Sequence, residues 1–526
     1  MRIAAAAVAG LLIATGAYAD LQNVEVGGEL RIRGRYWSNT YVGTASGPRE
    51  TRIPDFFVPR RAIGPFGLDS RFDWDSKESD IRLIEQRTDI DVLADFTDNV
   101  KAYIQLESFD LWGEEFRSDY ITGLDSRAST RNDVEVLQSW IEVENLLDQP
   151  LTLRIGRQPL KFGKGWLVAD AIAATLNISY DGVRLTYETD DVQIDAWYTK
   201  LFEGGVSEQD GDVDFSGVYA TYRGIPHLWA SLYWLWVRDS RSLNDTNFIA
   251  PIERLEDFFN LDDYDATNLH TVGGRLWGAY SGFDYDLELA YQFGEADAAG
   301  FGFKPASQIY GDDGAEYANW GGDLELGYSF SEVPWHPRLF LGGAYFSGED
   351  NRDLTFGEWL NPFDRPEASV SFNRLFSYSV YSWLLDTGQD LSNFHQVRAG
   401  VEMYPTDKIT VHLNAAYFGV NEPFDRPRTV AFGNWHIPVA PALSFWTEEA
   451  DEDLGTRLYM WIRYNYSDDL WFRVGWERLF TDDGAAQGSF VNRNGLEFNG
   501  GTGREDADYL FFETGVNFGG ADHRYQ

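Results

Sequence analysis

Arg31, Arg33 and Arg35 stand two residues apart, a spacing that puts all three guanidinium groups on one face of an extended chain. Such a row of planar, permanently charged forks suits carboxylates and phosphates, which each fork can grip through two hydrogen bonds. Asp284, Asp286 and Glu288 repeat the spacing with the opposite sign, as do Asp323 and Glu325. Neither row belongs in a dry core, where buried charge is costly, so both faces must meet water. His412 and Asn414 also share one strand face, but general-base chemistry would need a nucleophile beside them. No serine framed by nucleophile-elbow glycines accompanies them, and the seven histidines show no metal-ligand spacing. A barrel hydrolase is kept only as a weak second alternative, and no catalytic residue, cofactor or metal is expected.

The elements that carry these rows are strands of period two. From Val24 to Tyr36 the even positions are apolar or glycine, while Glu25, Glu29, Arg31, Arg33 and Arg35 share the other face. The pattern recurs in about eighteen segments, beginning near residues 24, 81, 100, 135, 151, 180, 192, 215, 228, 269, 283, 317, 338, 394, 409, 454, 470 and 508. Their connections alternate between short polar turns, such as Thr189-Asp190-Asp191 and Ser467-Asp468-Asp469, and long loops, such as 38–80, 159–178, 239–268, 348–393 and 419–453. Tyr36, Trp37, Tyr187, Tyr198, Trp234, Trp236, Tyr328, Phe330, Tyr345, Tyr464 and Tyr466 cluster at strand ends as interfacial girdles would. The expected fold is all-β: a transmembrane antiparallel β-barrel of about 18 strands, with short periplasmic turns and long extracellular loops. A soluble propeller or sandwich would not explain the alternation of turn lengths, and no blade period is present.

Composition agrees. The 526 residues hold 84 Asp plus Glu against 43 Lys plus Arg, a net charge of −41, and no cysteine. That balance argues against nucleic acid as a partner, and the missing thiols exclude disulfide scaffolds and thiolate zinc sites. Arg2, the apolar run Ile3–Ala17 and Ala17-Tyr18-Ala19 read as a signal peptide over residues 1–19, cleaved before Asp20. Residues 20–526 then form one barrel domain in the outer membrane, in contact with membrane lipid and lipopolysaccharide. Much of the negative charge falls in long loops, Glu253 to Asp265 and Glu448 to Asp453. Gln209 to Asp214 places oxygen ligands at alternating positions but lacks the bidentate glutamate of an EF-hand loop.

With apolar residues facing lipid, the other phase lines a lumen wide enough for water. The inward basic set, taken as the substrate or ion pathway, is Arg31, Arg33, Arg35, Arg87, Arg154, Arg184, Arg398, Arg457, Arg463 and Arg473, with Lys101, Arg275 and Arg338. Closing the barrel brings the first strands beside the last. A basic arc then faces an acidic wall of Asp284, Asp286, Glu288, Asp323 and Glu325, giving a transverse field along which an anionic solute could move. The competing reading is that these charges pair with one another and brace the wall. Trp140, Trp197, Trp461 and Trp471 also read as inward, where rings beside arginines would suit sugars.

Leu153-Arg154-Ile155-Gly156-Arg157-Gln158-Pro159-Leu160, followed by Asp181-Gly182-Val183-Arg184-Leu185-Thr186-Tyr187, resembles a strand-loop-strand segment of bacterial alginate-export porins. Phe372-Asn373-Arg374-Leu375-Phe376 with Tyr378 is similar to a stretch in a late extracellular loop of that family, and the Arg398 strand with its Pro405-Thr406-Asp407-Lys408 turn is similar too. The resemblance implies an eighteen-stranded monomeric barrel that passes an anionic exopolysaccharide, an alginate-like polyuronate, through an arginine-lined constriction. By position it points to Arg154 first, then Arg184, Arg457 and Arg463. Its further implied partners are the barrel assembly machinery and a periplasmic export scaffold. Arg157 falls out of phase with Arg154 unless Gly156 makes a bulge. The short Ser467-Asp468-Asp469 turn departs from the long periplasmic plug of the exporter type, which would leave gating to outer loops alone. Phe518 is expected to serve as a displaced C-terminal assembly signal. A general or sugar-selective diffusion porin for small solutes is the alternative function.

Overall fold

A strand with alternately apolar and charged residues cannot bury either face fully in one dry core, and here the strands close on themselves, one face to lipid and one to the interior. The computed structural model describes residues 21–38, 81–96, 99–112, 134–172, 176–204, 212–240, 266–295, 315–348, 368–369, 371–386, 389–423, 425–427, 429–432, 435–438, 447–449, 451–487, 490–492, 497–499 and 506–519. The barrel strands are β1 (Leu21–Ser38), β2 (Ile81–Phe96), β3 (Val100–Leu111), β4 (Glu135–Val143), β5 (Leu151–Gln158), β6 (Tyr180–Glu188), β7 (Val192–Phe202), β8 (Val213–Ile225) and β9 (Leu228–Asp239). They continue with β10 (Thr267–Tyr280), β11 (Phe283–Glu295), β12 (Ala315–Ser329), β13 (Arg338–Phe346), β14 (Phe394–Thr406), β15 (Ile409–Val420), β16 (Asp453–Asn465), β17 (Leu470–Thr481) and β18 (Ala507–Gly519). No strand starts more than three residues from its expected position.

Each strand pairs antiparallel with the next, and β1 pairs with β18 from Gly27 opposite Gly519 to Ser38 opposite Asp508, which closes the barrel. The turns are as short as expected: Ser281 and Gly282, with φ of 52° and 86°, join β10 to β11 as a two-residue hairpin loop that needs left-handed backbone. Outside, residues such as Ile90, Ile104, Ile141, Leu232, Leu341 and Val474 lie exposed to the bilayer. The interior face is the reverse, with Asp89, Asp195, Glu288, Asp323, Glu477 and Glu513 buried. This is the inside-out chemistry of a barrel in lipid.

One expectation needs correction, and one open point is decided. Trp37 is not part of the outer girdle, because it falls in the inward phase of β1 and is buried in the interior. Gly156 makes no bulge: it has φ of 129°, yet the register runs unbroken through it on both sides. Arg157 is therefore left on the outer face, exposed and paired with Asp181 at 2.8 Å. The segment 1–19, the acidic stretch Glu253 to Asp265 and Gln209 to Gly211 lie outside the described residues. The described half of that oxygen-rich motif is occupied by a cation of the chain itself, since Asp212 and Asp214 both bind Lys200.

Candidate functional site: the lumen and its plug

Residues 159–172 after β5, and 371–386 with 389–393 before β14, turn into the barrel instead of forming surface loops. Pro159 ends β5, and Gly163 and Gly165, with φ of 59° and 74°, reverse the chain. Phe162 thereby stacks on Trp197 and Tyr219, at 4.5 and 4.9 Å. Lys164 reaches Asp323 on β12 at 2.5 Å. Trp166 is buried and donates from Nε1 to the Tyr381 hydroxyl at 3.0 Å.

The second segment is organised by one buried ion pair. Asp386 accepts from the Tyr381 and Leu391 amides at 2.9 and 3.1 Å. Arg374 meets Asp386 at 2.8 Å, and both side chains are fully buried. The guanidinium also donates to the carbonyls of Leu391 and Ser379 and lies 4.9 Å from the Tyr381 ring. Burial pushes the Asp386 carboxyl above its ordinary value, with Arg374 pulling against it. The Tyr381 hydroxyl is raised by burial as well. Backbone bonds from Phe376 to the Leu167 carbonyl (2.9 Å) and from Tyr378 to the Gly165 carbonyl (2.8 Å) fasten the two segments together. Across the lumen, the Trp37 indole donates to the Trp383 carbonyl at 3.2 Å, and Trp383 stacks on Tyr509 of β18. Leu160, Trp166, Leu384, Leu385 and Leu391 are buried in this interior core, each aliphatic side chain contributing about 1.5–3 kcal/mol. Together the two segments bridge the lumen from β7 and β8 to β1 and β18.

The sequence-derived arginines all project inward, but most are already held. Arg33 and Arg35 share Glu85, each at 2.8 Å, and both lie near the Trp383 ring. Arg87 binds Glu29 at 2.5 Å. Arg154 binds Glu142 at 2.6 Å with its guanidinium 4.1 Å from the Trp140 ring, and Arg184 binds Asp195 at 2.8 Å. Lys101 binds Glu144 at 2.6 Å. Arg457 donates to the Tyr381 carbonyl and to Asn414, and lies 3.9 Å from Glu477.

The acidic wall is likewise compensated. Asp323 binds Arg398 at 2.9 Å as well as Lys164. Asp284 and Glu325 bind Arg338 at 2.5 and 2.9 Å, and Asp286 binds Arg275 at 2.6 Å, with Glu288 at 3.9 Å. A clean basic arc facing a clean acidic one is therefore replaced by local pairing on both sides, because each of these side chains finds an opposite charge within reach on its own or a nearby strand. His412 is stacked on Trp461 at 5.2 Å and contacts Asn414 at 3.1 Å, a wall arrangement.

One place keeps an excess of positive charge. Arg463 and Arg473 are direct cross-strand partners of β16 and β17, an arrangement that repels unless an anion intervenes. Glu513 serves Arg473, at 2.6 Å, and Arg31 together. Arg463 donates to Asn465 at 2.9 Å and lies 4.6 Å from the Trp471 ring, with no carboxylate within ion-pair distance among the described residues. Three guanidinium groups thus gather around one carboxylate that pairs with only two of them, beside an indole, on the periplasmic side of the plug.

The alginate-export family model matches residues 22–431. The chain belongs to the alginate-export family. No curated protein matches it. Among solved structures it is similar to OccAB1 of Acinetobacter baumannii, with 11% identity over 95% of this chain and 98% of that one and a TM-score of 0.51. It is also similar to OccK8 (OprE) of Pseudomonas aeruginosa, with 11% identity over 95% and 100% and a TM-score of 0.50. At that identity the likeness speaks for the fold alone: a closed eighteen-stranded antiparallel barrel. An alginate-export barrel with a channel-protein fold is an outer-membrane channel.

In this alginate-export barrel the plug is the feature that sequence reading missed. A signal was present: Phe162 with Trp166-Leu167-Val168, and Trp383-Leu384-Leu385, are too apolar for loops in water. Trp140 and Trp197 do point inward but are buried under Arg154 and Phe162, so of the four sequence-derived tryptophans only Trp461 and Trp471 are partly exposed.

Proposed function

We propose that the channel passes an anionic polysaccharide of the polyuronate class, whose carboxylates are received by Arg31, Arg463 and Arg473 beside Trp471. The observation that carries this reading is the unbalanced cluster itself: three guanidinium groups around Glu513, two of them in repulsive cross-strand register. A polymer carboxylate there relieves the repulsion through charge-assisted bonds, and the indole offers a face to the sugar ring. Arg87, Arg154, Arg184, Arg398 and Arg457 brace the wall and the plug in this reading, and they shape the path without receiving the polymer.

A second reading, a sugar-selective porin for neutral solutes, is favoured by Trp229 and Trp277, inward-phase neighbours on β9 and β10 in edge contact at 5.5 Å. Planar-bilayer recording separates the two. Under a KCl gradient the wild-type channel prefers anions, and uronate oligomers block it. Arg463→Gln, which leaves every carboxylate pair intact, weakens that block about 10- to 150-fold, the loss of one hydrogen bond to a charged group. Cation preference with block by neutral oligosaccharides alone would overturn the polyuronate assignment in favour of the second reading.

A further inference from the structure

The outer wall carries a cleft of about 790 Å³ across β17, β18, β1 and β2, bordered by Tyr36, Ile84, Phe512, Arg82 and Trp112. Its floor is open because Gly34 falls in the lipid-facing phase of β1, where a Cβ would meet nothing within 4 Å. The cross-strand neighbours of Gly34 are Ile84 and Phe512, so a missing side chain between two large ones leaves an apolar slot. The slot is shallow and opens widely toward the bilayer, the shape an acyl chain lying along the wall would need.

Charge at its mouth says what fits. On the outer face at the long-loop end, Arg157 pairs with Asp181, Lys200 with Asp214, and Arg478 with Asp506 and Asp508. Arg82 stands at the same end of the same face, yet it lies 5.3 Å from the Tyr36 ring and has no carboxylate partner among the described residues. A cation on a lipid-facing strand is unfavourable unless it sits near the interface and finds an anion. The long-loop end faces the outer leaflet, whose lipid is a phosphorylated, multiply acylated glycolipid. We propose that the cleft is a binding site for that glycolipid, with one acyl chain lying over Gly34 and a phosphate paired to Arg82. The site is separate from the lumen and independent of the transported solute.

The test is native mass spectrometry of the full-length barrel in detergent, titrated with bis-phosphorylated lipid A. Every variant is first shown to be folded by its heat-modifiable gel mobility. Wild type should retain one lipid A, while Arg82→Gln and Gly34→Leu each weaken binding at least tenfold, and dephosphorylated lipid A should bind wild type no better than lipid A binds Arg82→Gln. Arg478→Gln, which touches a paired cation outside the cleft, should bind as wild type. Unchanged binding in both cleft variants, an equal loss in Arg478→Gln, or equal competition by phosphatidylglycerol would overturn the assignment.

Discussion

Removing Arg374 should open the plug. Arg374→Ala leaves Asp386 buried with its two backbone donors but without its counter-ion. Breaking a buried pair from one side costs about 3–5 kcal/mol, because the remaining charge is uncompensated. At about 1.36 kcal/mol per tenfold, the balance between seated and released segment shifts roughly a hundred- to several-thousand-fold. The barrel itself is not touched, since its strands are held by a closed antiparallel ladder. The expected result in a planar bilayer is larger and noisier single-channel conductance than wild type, with unchanged heat-modifiable mobility. The double variant Arg374→Met with Asp386→Asn removes both charges, and the single Asn oxygen still accepts from one of the Tyr381 and Leu391 amides, which in wild type bond to different carboxylate oxygens. Neutral replacement of a whole buried pair is often free of cost or stabilising, so this channel, with one amide left to find another acceptor, should be clearly quieter than Arg374→Ala. A quiet Arg374→Ala channel, or a double variant as leaky as the single one, would refute the latch.

Two further outcomes follow from the geometry. An epitope inserted at Asp263, between β9 and β10, should be labelled on intact cells and one at Asp468, in the turn between β16 and β17, should not; equal labelling would reverse or abolish the assigned orientation. Arg157→Gln should leave ion selectivity and uronate block unchanged, because that side chain lies on the outer face with Asp181, and a shift in reversal potential would place it in the lumen after all.

Strand number, turn lengths and the direction of most wall side chains were legible in the sequence, Trp37 and Arg157 excepted, because a period of two is a local property: neighbouring residues must face opposite ways, and lipid and water then sort them. The arginines at 31, 463 and 473 could be placed inward on that ground alone. Which of them stay uncompensated could not, since that depends on cross-strand register, which sets Arg463 against Arg473 and brings Glu513 to Arg31. The plug was hidden for a related reason. Residues 159–172 and 371–393 carry no period, and their side chains find partners in each other and in strands distant along the chain, as Trp166 does in Tyr381, Phe162 in Trp197 and Trp383 in Trp37. Local sequence therefore determined that this chain makes a barrel and what its wall is made of, while the tertiary structure decided what fills the barrel and where free charge remains, because both depend on contacts between segments that only closure of the sheet brings together.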